Sequence, residues 1–165
     1  MKVLSGPCFA PLSAIGEILK KDKWYNEGLC FECAQCGRCC SGPGEGYIWV
    51  TGAEAERIAR YLSISQNELK QKYLKRVGWR MSIIEEAATK DCIFLRNEAG
   101  IKTCTIYEVR PNQCRTWPFW KQNLQNEDSW QAAGQRCGGI NQGRRYSPGE
   151  IERLLRQKNW WDDDN

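Results

Sequence analysis

The sequence predicts a small α+β domain, with short helices and a β-hairpin arranged around a cysteine cluster. Three observations carry that expectation. Four thiols fall within eight residues, Cys33-Ala34-Gln35-Cys36-Gly37-Arg38-Cys39-Cys40, at the spacing C-x-x-C-x-x-C-C. Three Ser or Thr residues, each followed three positions later by Glu, open runs of helical hydrophobic period. Two β-prone runs, Cys92-Ile93-Phe94-Leu95 and Ile101 to Ile106, flank the turn-forming stretch Asn97-Glu98-Ala99-Gly100.

The elements follow in chain order. Ile15, Ile18 and Leu19 have the spacing of a short amphipathic helix, with Trp24 and Tyr25 anchoring its end. After the thiol cluster, Ser41 to Gly46 reads as a loop and Tyr47 to Val50 as a short strand. Thr51-Gly52-Ala53-Glu54 is a capping box, and Ala55, Ile58, Ala59 and Leu62 give the helix it opens one apolar stripe. Ser65-Gln66-Asn67-Glu68 is a second box; Leu69, Tyr73 and Val77 share a face, so the helix is expected to run to Gly78. Trp79 to Ile84 is expected to be a strand, followed by the hairpin. A register pairing Arg96 with Gly100 would set Cys92 opposite Cys104; a four-residue loop would remove that pairing. Tyr107 to Thr116 reads as short helical turns, with Pro111 at a helix start and Cys114 in the first turn. Cys137-Gly138-Gly139 is a permissive turn around a thiol. Ser147-Pro148-Gly149-Glu150 is the third box, with Ile151, Leu154 and Leu155 behind it, and Asp162 to Asn165 is an acidic tail. A length of 165 residues fits one domain, 1–165, with a cysteine core at 29–140 and flanking helical segments at 1–28 and 141–165.

Composition narrows the chemistry. The chain has 10 Cys and 0 His. Without His there is no imidazole acid–base chemistry, no Ser-His or Cys-His nucleophile pair and no mixed Cys/His zinc site, so a soft-metal site must be essentially thiolate. Two residues between thiols let one turn aim both sulfurs at one ion, the spacing of zinc knuckles and iron–sulfur loops. Cys39 and Cys40 are adjacent, so their side chains diverge and one is expected to face a second partner. Ten cysteines could instead form disulfides in an exported protein. Met1 to Cys8, however, makes a poor signal peptide, its apolar run being broken by Gly6 and Pro7. No apolar run approaches the roughly 20 residues needed to cross a bilayer. The expectation is a cytoplasmic protein with reduced thiols and no membrane partner. Lys and Arg are interleaved with acids at a net charge of +4, which supports solubility and argues against a nucleic-acid partner.

The full thiol order is Cys33, Cys36, Cys39, Cys40, Cys92, Cys104, Cys114 and Cys137. With Phe31-Glu32-Cys33, Asp91-Cys92-Ile93-Phe94-Leu95, Cys104-Thr105-Ile106-Tyr107, Arg110-Pro111-Asn112-Gln113-Cys114-Arg115, Pro118-Phe119 and Cys137-Gly138-Gly139-Ile140, it resembles the YkgJ-like family, named for its CxxCxxCC motif. The resemblance covers roughly residues 29–140 and implies a zinc- or iron-chelating domain with these eight cysteines as ligands. Cys8 and Cys30 fall outside the pattern and receive no ligand role. A related domain occurs in flagellin lysine methylases, but this chain has no glycine-rich nucleotide loop that would carry a methyltransferase role over.

Three readings follow: a metal-binding module, an iron–sulfur redox protein or enzyme distantly related to protein lysine methylases, and a zinc-ribbon-like nucleic-acid binder. The charge pattern disfavours the last. Three thiols at C-x-x-C-x-x-C match the ferredoxin-type run that feeds one cubane, although Cys40 stands where that run would continue. Iron as an iron–sulfur cluster is therefore set ahead of zinc. Arg38, Arg110, Arg115 and Arg136 lie near cluster thiols and could offset thiolate charge, or form structural salt bridges to Glu108 or Asp91. Trp117, Phe119, Trp120 and Tyr107 read as core aromatics before pocket residues. No carboxylate pair or activated nucleophile names a reaction, so no catalytic residue is assigned.

Overall fold

The computed structural model describes residues 23–157. Its elements are β1 (Leu29–Phe31), β2 (Ile48–Val50), α1 (Gly52–Tyr61), α2 (Gln66–Lys72), β3 (Leu74–Val77), β4 (Arg80–Ile83), β5 (Leu95–Glu98), β6 (Ile101–Cys104), α3 (Asn112–Thr116), α4 (Glu127–Arg136), β7 (Ile140–Tyr146) and α5 (Pro148–Arg156). Single 3-10 turns occupy Arg38–Cys40 and Tyr107–Val109. The fold is α+β: among the described residues, five α-helices accompany three small antiparallel sheets. These residues gather into two compact units. One comprises the described residues up to Ala34 together with Pro118–Arg156, the other chiefly Gln35–Trp117.

In the unit Gln35–Trp117, α1 starts where its capping box predicts. The Glu54 N–H donates to Thr51 Oγ1 at 3.3 Å while the Thr51 N–H donates to Glu54 Oε2 at 2.9 Å. Its stripe Ala55, Ile58 and Ala59 is buried. The second cap is one-sided, Ser65 accepting from the Glu68 N–H at 3.1 Å. The helix behind it stops at Lys72, short of the expected Val77. Tyr73, at φ −126°, leaves helical geometry, and Leu74–Val77 becomes β3. Leu74 lies off the stripe defined by Leu69, Tyr73 and Val77. As a strand residue it pairs with Ile83 and is buried, which the helix would not have achieved.

The sheet has the order β2-β4-β3. Val50, Leu74 and Ile83 face a core shared with Ile58, Leu69, Phe94 and Ile106. Strand alternation puts Trp49, Lys75 and Arg80 on the opposite face. Gly78, at φ +62°, permits a two-residue turn with Trp79, so β4 begins at Arg80 and Trp79 sits at the hairpin tip.

The second hairpin forms, but in another register from the one that would oppose Cys92 and Cys104. Ala99 and Gly100, at φ +51° and +82°, close a tight two-residue turn. Glu98 therefore pairs with Ile101, and Cys104 lies opposite Leu95. Cys92 precedes the strand, in an isolated bridge with Glu85.

The other unit is built on β1 and β7, paired from Leu29↔Tyr146 to Phe31↔Ile140 through a bulge. Phe119 and Trp130, each 1% exposed, form its centre. Phe119 meets Trp130 at 5.7 Å, Phe31 at 5.9 Å and Tyr146 at 4.6 Å between ring centroids. Trp24 joins this cluster beside Tyr25 and Trp130. The helix α4 and the strands β1 and β7 were not expected from the sequence; Asn126, accepting from the Ser129 N–H at 2.8 Å, caps α4. The third capping box holds, the Ser147 N–H donating to Glu150 Oε2 at 2.8 Å, and Ile151 of α5 is buried. The helix expected at Ile15–Leu19 and the acidic tail lie outside the described residues.

Candidate metal centre

Six of the eight family cysteines belong to the unit Gln35–Trp117. Gly37, at φ +69°, adopts a left-handed conformation, and a Cβ there would come within 2.8 Å of Leu95 Cδ1 and Lys102 Cβ. It thus turns the chain tightly against the β5–β6 hairpin. The 3-10 turn that follows is closed by the Cys40 N–H on the Gly37 carbonyl at 2.9 Å. Cys36 and Cys39 are exposed, and Cys40 is half-buried with its sulfur 3.7 Å from that of Cys39. The backbone of the loop continues into the next thiol: the Cys92 N–H donates to the Cys40 carbonyl at 2.8 Å. Cys92 is buried, and Cys104 ends β6 half-buried.

Two side chains clamp this loop. Asp91 Oδ1 accepts from the Gly42 N–H at 2.9 Å. Lys102 donates to Ser41 Oγ at 2.7 Å and to Asp91 Oδ2 at 3.3 Å. The Gly42 N–H, with the Lys102 ammonium behind it, holds the Asp91 carboxyl below its usual range. Asp91, one of the acids to which a neighbouring arginine could have bridged, pairs with this lysine.

Cys114 sits in the first turn of α3, as the sequence predicts, and α3 is docked by two residues with no sequence-level signal. Glu54 of α1, 6% exposed, uses the oxygen left over from its capping box to accept from the Asn112 N–H at 2.6 Å, capping α3. Gln113, also buried, accepts from the Trp49 N–H and donates to the Tyr47 carbonyl, both at 2.8 Å. It satisfies the outer edge of β2 as a neighbouring strand would.

Cys39, Cys40, Cys92, Cys104 and Cys114 act on one another electrostatically. The hydrogen bond with Cys39 and burial, followed by the charges of Cys39, Cys114 and Cys92, push the Cys40 thiol up. Burial, then Cys104, Cys39 and Glu85, push Cys92 up to about 12. Burial, then Cys92, Cys39 and Cys104, raise Cys114, with Arg110 opposing them. Arg110 lies 3.5 Å from the Tyr107 ring centroid and donates through Nε to the Tyr107 carbonyl at 2.8 Å, which fixes that cation beside α3.

Cys33 and Cys137 belong to the other unit. Phe31 pairs with Ile140, and the ladder extends through the Glu32 N–H on the Gly139 carbonyl at 3.1 Å. Cys33 follows β1 and Cys137 precedes β7, so the two thiols flank the same end of this antiparallel pair. Cys33 is exposed and Cys137 half-buried at the C-cap of α4. All eight family cysteines are free thiols, whereas Cys30, buried on β1, is disulfide-bonded.

The donor set fits a thiophilic metal: every candidate ligand is a thiol, and the more buried ones would gain most from a cation that stabilises their anions. Among the described residues, Cys39, Cys40, Cys92, Cys104 and Cys114 stand within electrostatic reach of one another, and no three thiols close into a ready-made cage.

A family model described as "Putative zinc- or iron-chelating domain", CxxCxxCC, matches residues 32–138, a span that includes all eight cysteines. The "Uncharacterized protein MJ0661" of Methanocaldococcus jannaschii is 33% identical over 108 residues, covering 63% of this chain and 55% of that protein. The chain thus spans little more than half the length of that curated relative. No solved structure matches. Among the described residues, no helix is long and apolar enough to cross a membrane.

Proposed function

Because the chain belongs to the CxxCxxCC family of zinc- or iron-chelating domains, we propose that it is a metal-binding protein whose eight cysteines hold iron, as an iron–sulfur cluster, in preference to zinc. The ligands are Cys33, Cys36, Cys39, Cys40, Cys92, Cys104, Cys114 and Cys137. A site built on Cys33, Cys36 and Cys39 is completed by Cys92, Cys104, Cys114 and Cys137 together with Cys40, or these form a second one.

The observation that carries this reading is the convergence of Cys39, Cys40, Cys92, Cys104 and Cys114. They come from the cluster loop, the turn before β5, the end of β6 and the first turn of α3, and each of Cys40, Cys92 and Cys114 is held protonated partly by the others. Protonated, these thiols carry no charge; burial and their neighbours oppose only their ionisation. A bound cation supplies the charge that lets such thiols ionise. The preference for iron rests on the C-x-x-C-x-x-C run, on the absence of His and on Arg110, which offsets negative charge beside Cys114.

Anaerobic purification with elemental analysis, acid-labile sulfide assay and a visible spectrum tests the choice of metal. The expected result is brown protein containing iron and sulfide in matching amounts. Colourless protein carrying tightly bound zinc and no sulfide would overturn the preference for iron and leave a zinc-stabilised module.

A further inference from the structure

The face of the β2-β4-β3 sheet turned away from the core carries a row of alternating cations and aromatic rings. Lys75 Nζ lies 5.0 Å from the Tyr47 ring centroid. Tyr47 stacks on Trp49 at 5.1 Å with 9° between planes. Arg80 lies 5.5 Å from the Trp49 centroid and 5.4 Å from that of Trp79. Such a row is not the product of burial. Trp79, on the tip of the β3–β4 hairpin, is 74% exposed, and Tyr47 is 45% exposed. A rigid sheet thus holds large rings out in water, at a cost that core packing does not offset.

Beside the row lies a cleft of about 130 Å³ lined by Trp49, Thr51, Gly52, Trp79, Arg80 and Met81. Its floor includes the first residues of the ten-residue helix α1, whose N-terminus already holds the Glu54 carboxylate of the capping box. The space in front of Gly52 is open, with no atom within 4 Å of where a Cβ would stand.

We propose that this face binds single-stranded nucleic acid. The ligand must offer flat π-surfaces for Trp79 and the cleft, and negative charge for Arg80 and Lys75. A cationic ligand is disfavoured, because it would meet the like charges of Arg80 and Lys75 at the rings. Five side chains, each about 5 Å from the next, span more than one nucleotide and suit a strand with a base on the exposed ring of Trp79 and its phosphates along the cations. Glu85, which pairs with Lys75 at 3.6 Å, and Glu45, whose carboxyl Lys90 and Lys75 hold below its usual range, are the acids that temper the charge here. The mixed charge pattern that argues against nucleic acid in the sequence is sorted, on this face, into cations set between rings. The proposal is independent of the metal reading, since none of its residues is a candidate ligand.

The test is fluorescence anisotropy with labelled oligouridylate and oligothymidylate strands, using the full chain as isolated. Binding is expected to weaken steeply as salt rises. Trp79→Ala is expected to lose about tenfold in affinity, with metal content unchanged, and Trp79→Phe to retain most of the affinity. Arg80→Ala is expected to weaken binding and flatten the salt dependence. A duplex of equal length, polyglutamate and uridine monophosphate are expected to compete poorly. The proposal is overturned if the strands do not bind at low salt. It also fails if Trp79→Ala and Arg80→Ala bind as the parent does, or if duplex, polyglutamate or the mononucleotide competes as well as a strand.

Discussion

Replacing Cys36 by Ser is expected to lower the stability of the metal-loaded protein by several kcal/mol, although Cys36 is exposed. An exposed substitution away from any special feature ordinarily moves stability by no more than about 0.5 kcal/mol. A structural metal contributes on the order of 10 kcal/mol to folding in small zinc peptides, against a whole-domain stability of about 5–15 kcal/mol. A ligand lost from such a site carries a large share of that contribution, and exposure does not protect it. Cys114→Ser should be at least as damaging, but it also alters a half-buried side chain, so Cys36 isolates the metal term. Asn67→Ser, an exposed change that touches no thiol, is the control. Urea denaturation of the three variants reads the effect. Small losses at Cys36 and Cys114, equal to that at Asn67, would show that these thiols do not hold the fold together through a metal.

Glu54→Ala is expected to cost about 3 kcal/mol, the sum of roughly 1 kcal/mol for the lost cap and about 1.5–3 kcal/mol for the charged hydrogen bond to the Asn112 N–H. Glu54 is nearly fully buried and serves two helices: Oε2 closes the α1 capping box, and Oε1 caps α3. Without it, the N-terminus of α3 loses its partner, and Cys114, two residues on, loses its fixed position. The variant should therefore unfold at lower denaturant concentration and also bind metal more weakly. Glu54→Gln retains an acceptor of the same length and should lose less on both counts. A loss below about 0.5 kcal/mol in Glu54→Ala, the range of an ordinary surface change, would show that α3 is held by Gln113 alone.

Legibility from sequence followed the range of the interaction. The N-cap at Thr51 and the box at Ser147 were readable because both partners lie within three residues and the bond is side chain to local backbone. The position of Cys114 in a helical first turn was readable from Pro111 for the same reason. The end of α2 was not, since Leu69, Tyr73 and Val77 do share a helical face; only the burial of Leu74 against Ile83 converts that stretch into β3. The hairpin was legible as a hairpin, but its register hung on whether the turn took two residues or more. The positive φ of Ala99, an uncommon conformation for a residue with a Cβ, settled it. At the candidate site the thiols were visible and their supports were not. Glu54 had spent its signal on the capping box, and Gln113 looks like any polar residue until β2 presents an open edge to it. The row of rings and cations on the sheet was hidden for a similar reason, since Tyr47, Lys75 and Arg80 become neighbours only through the β2-β4-β3 order.

The most direct measurement of the central claim, that the family cysteines hold a metal, is thiol alkylation followed residue by residue in the protein as isolated under anaerobic conditions, before and after chelation. Burial alone can slow Cys92. It cannot slow Cys33, Cys36 or Cys39, which are exposed in the fold. The expected result is that these three resist alkylation together with Cys40, Cys92, Cys104, Cys114 and Cys137, and that all eight become reactive once the metal is stripped. Immediate reaction of Cys33, Cys36 and Cys39 in the freshly isolated protein, unchanged by chelator, would contradict it.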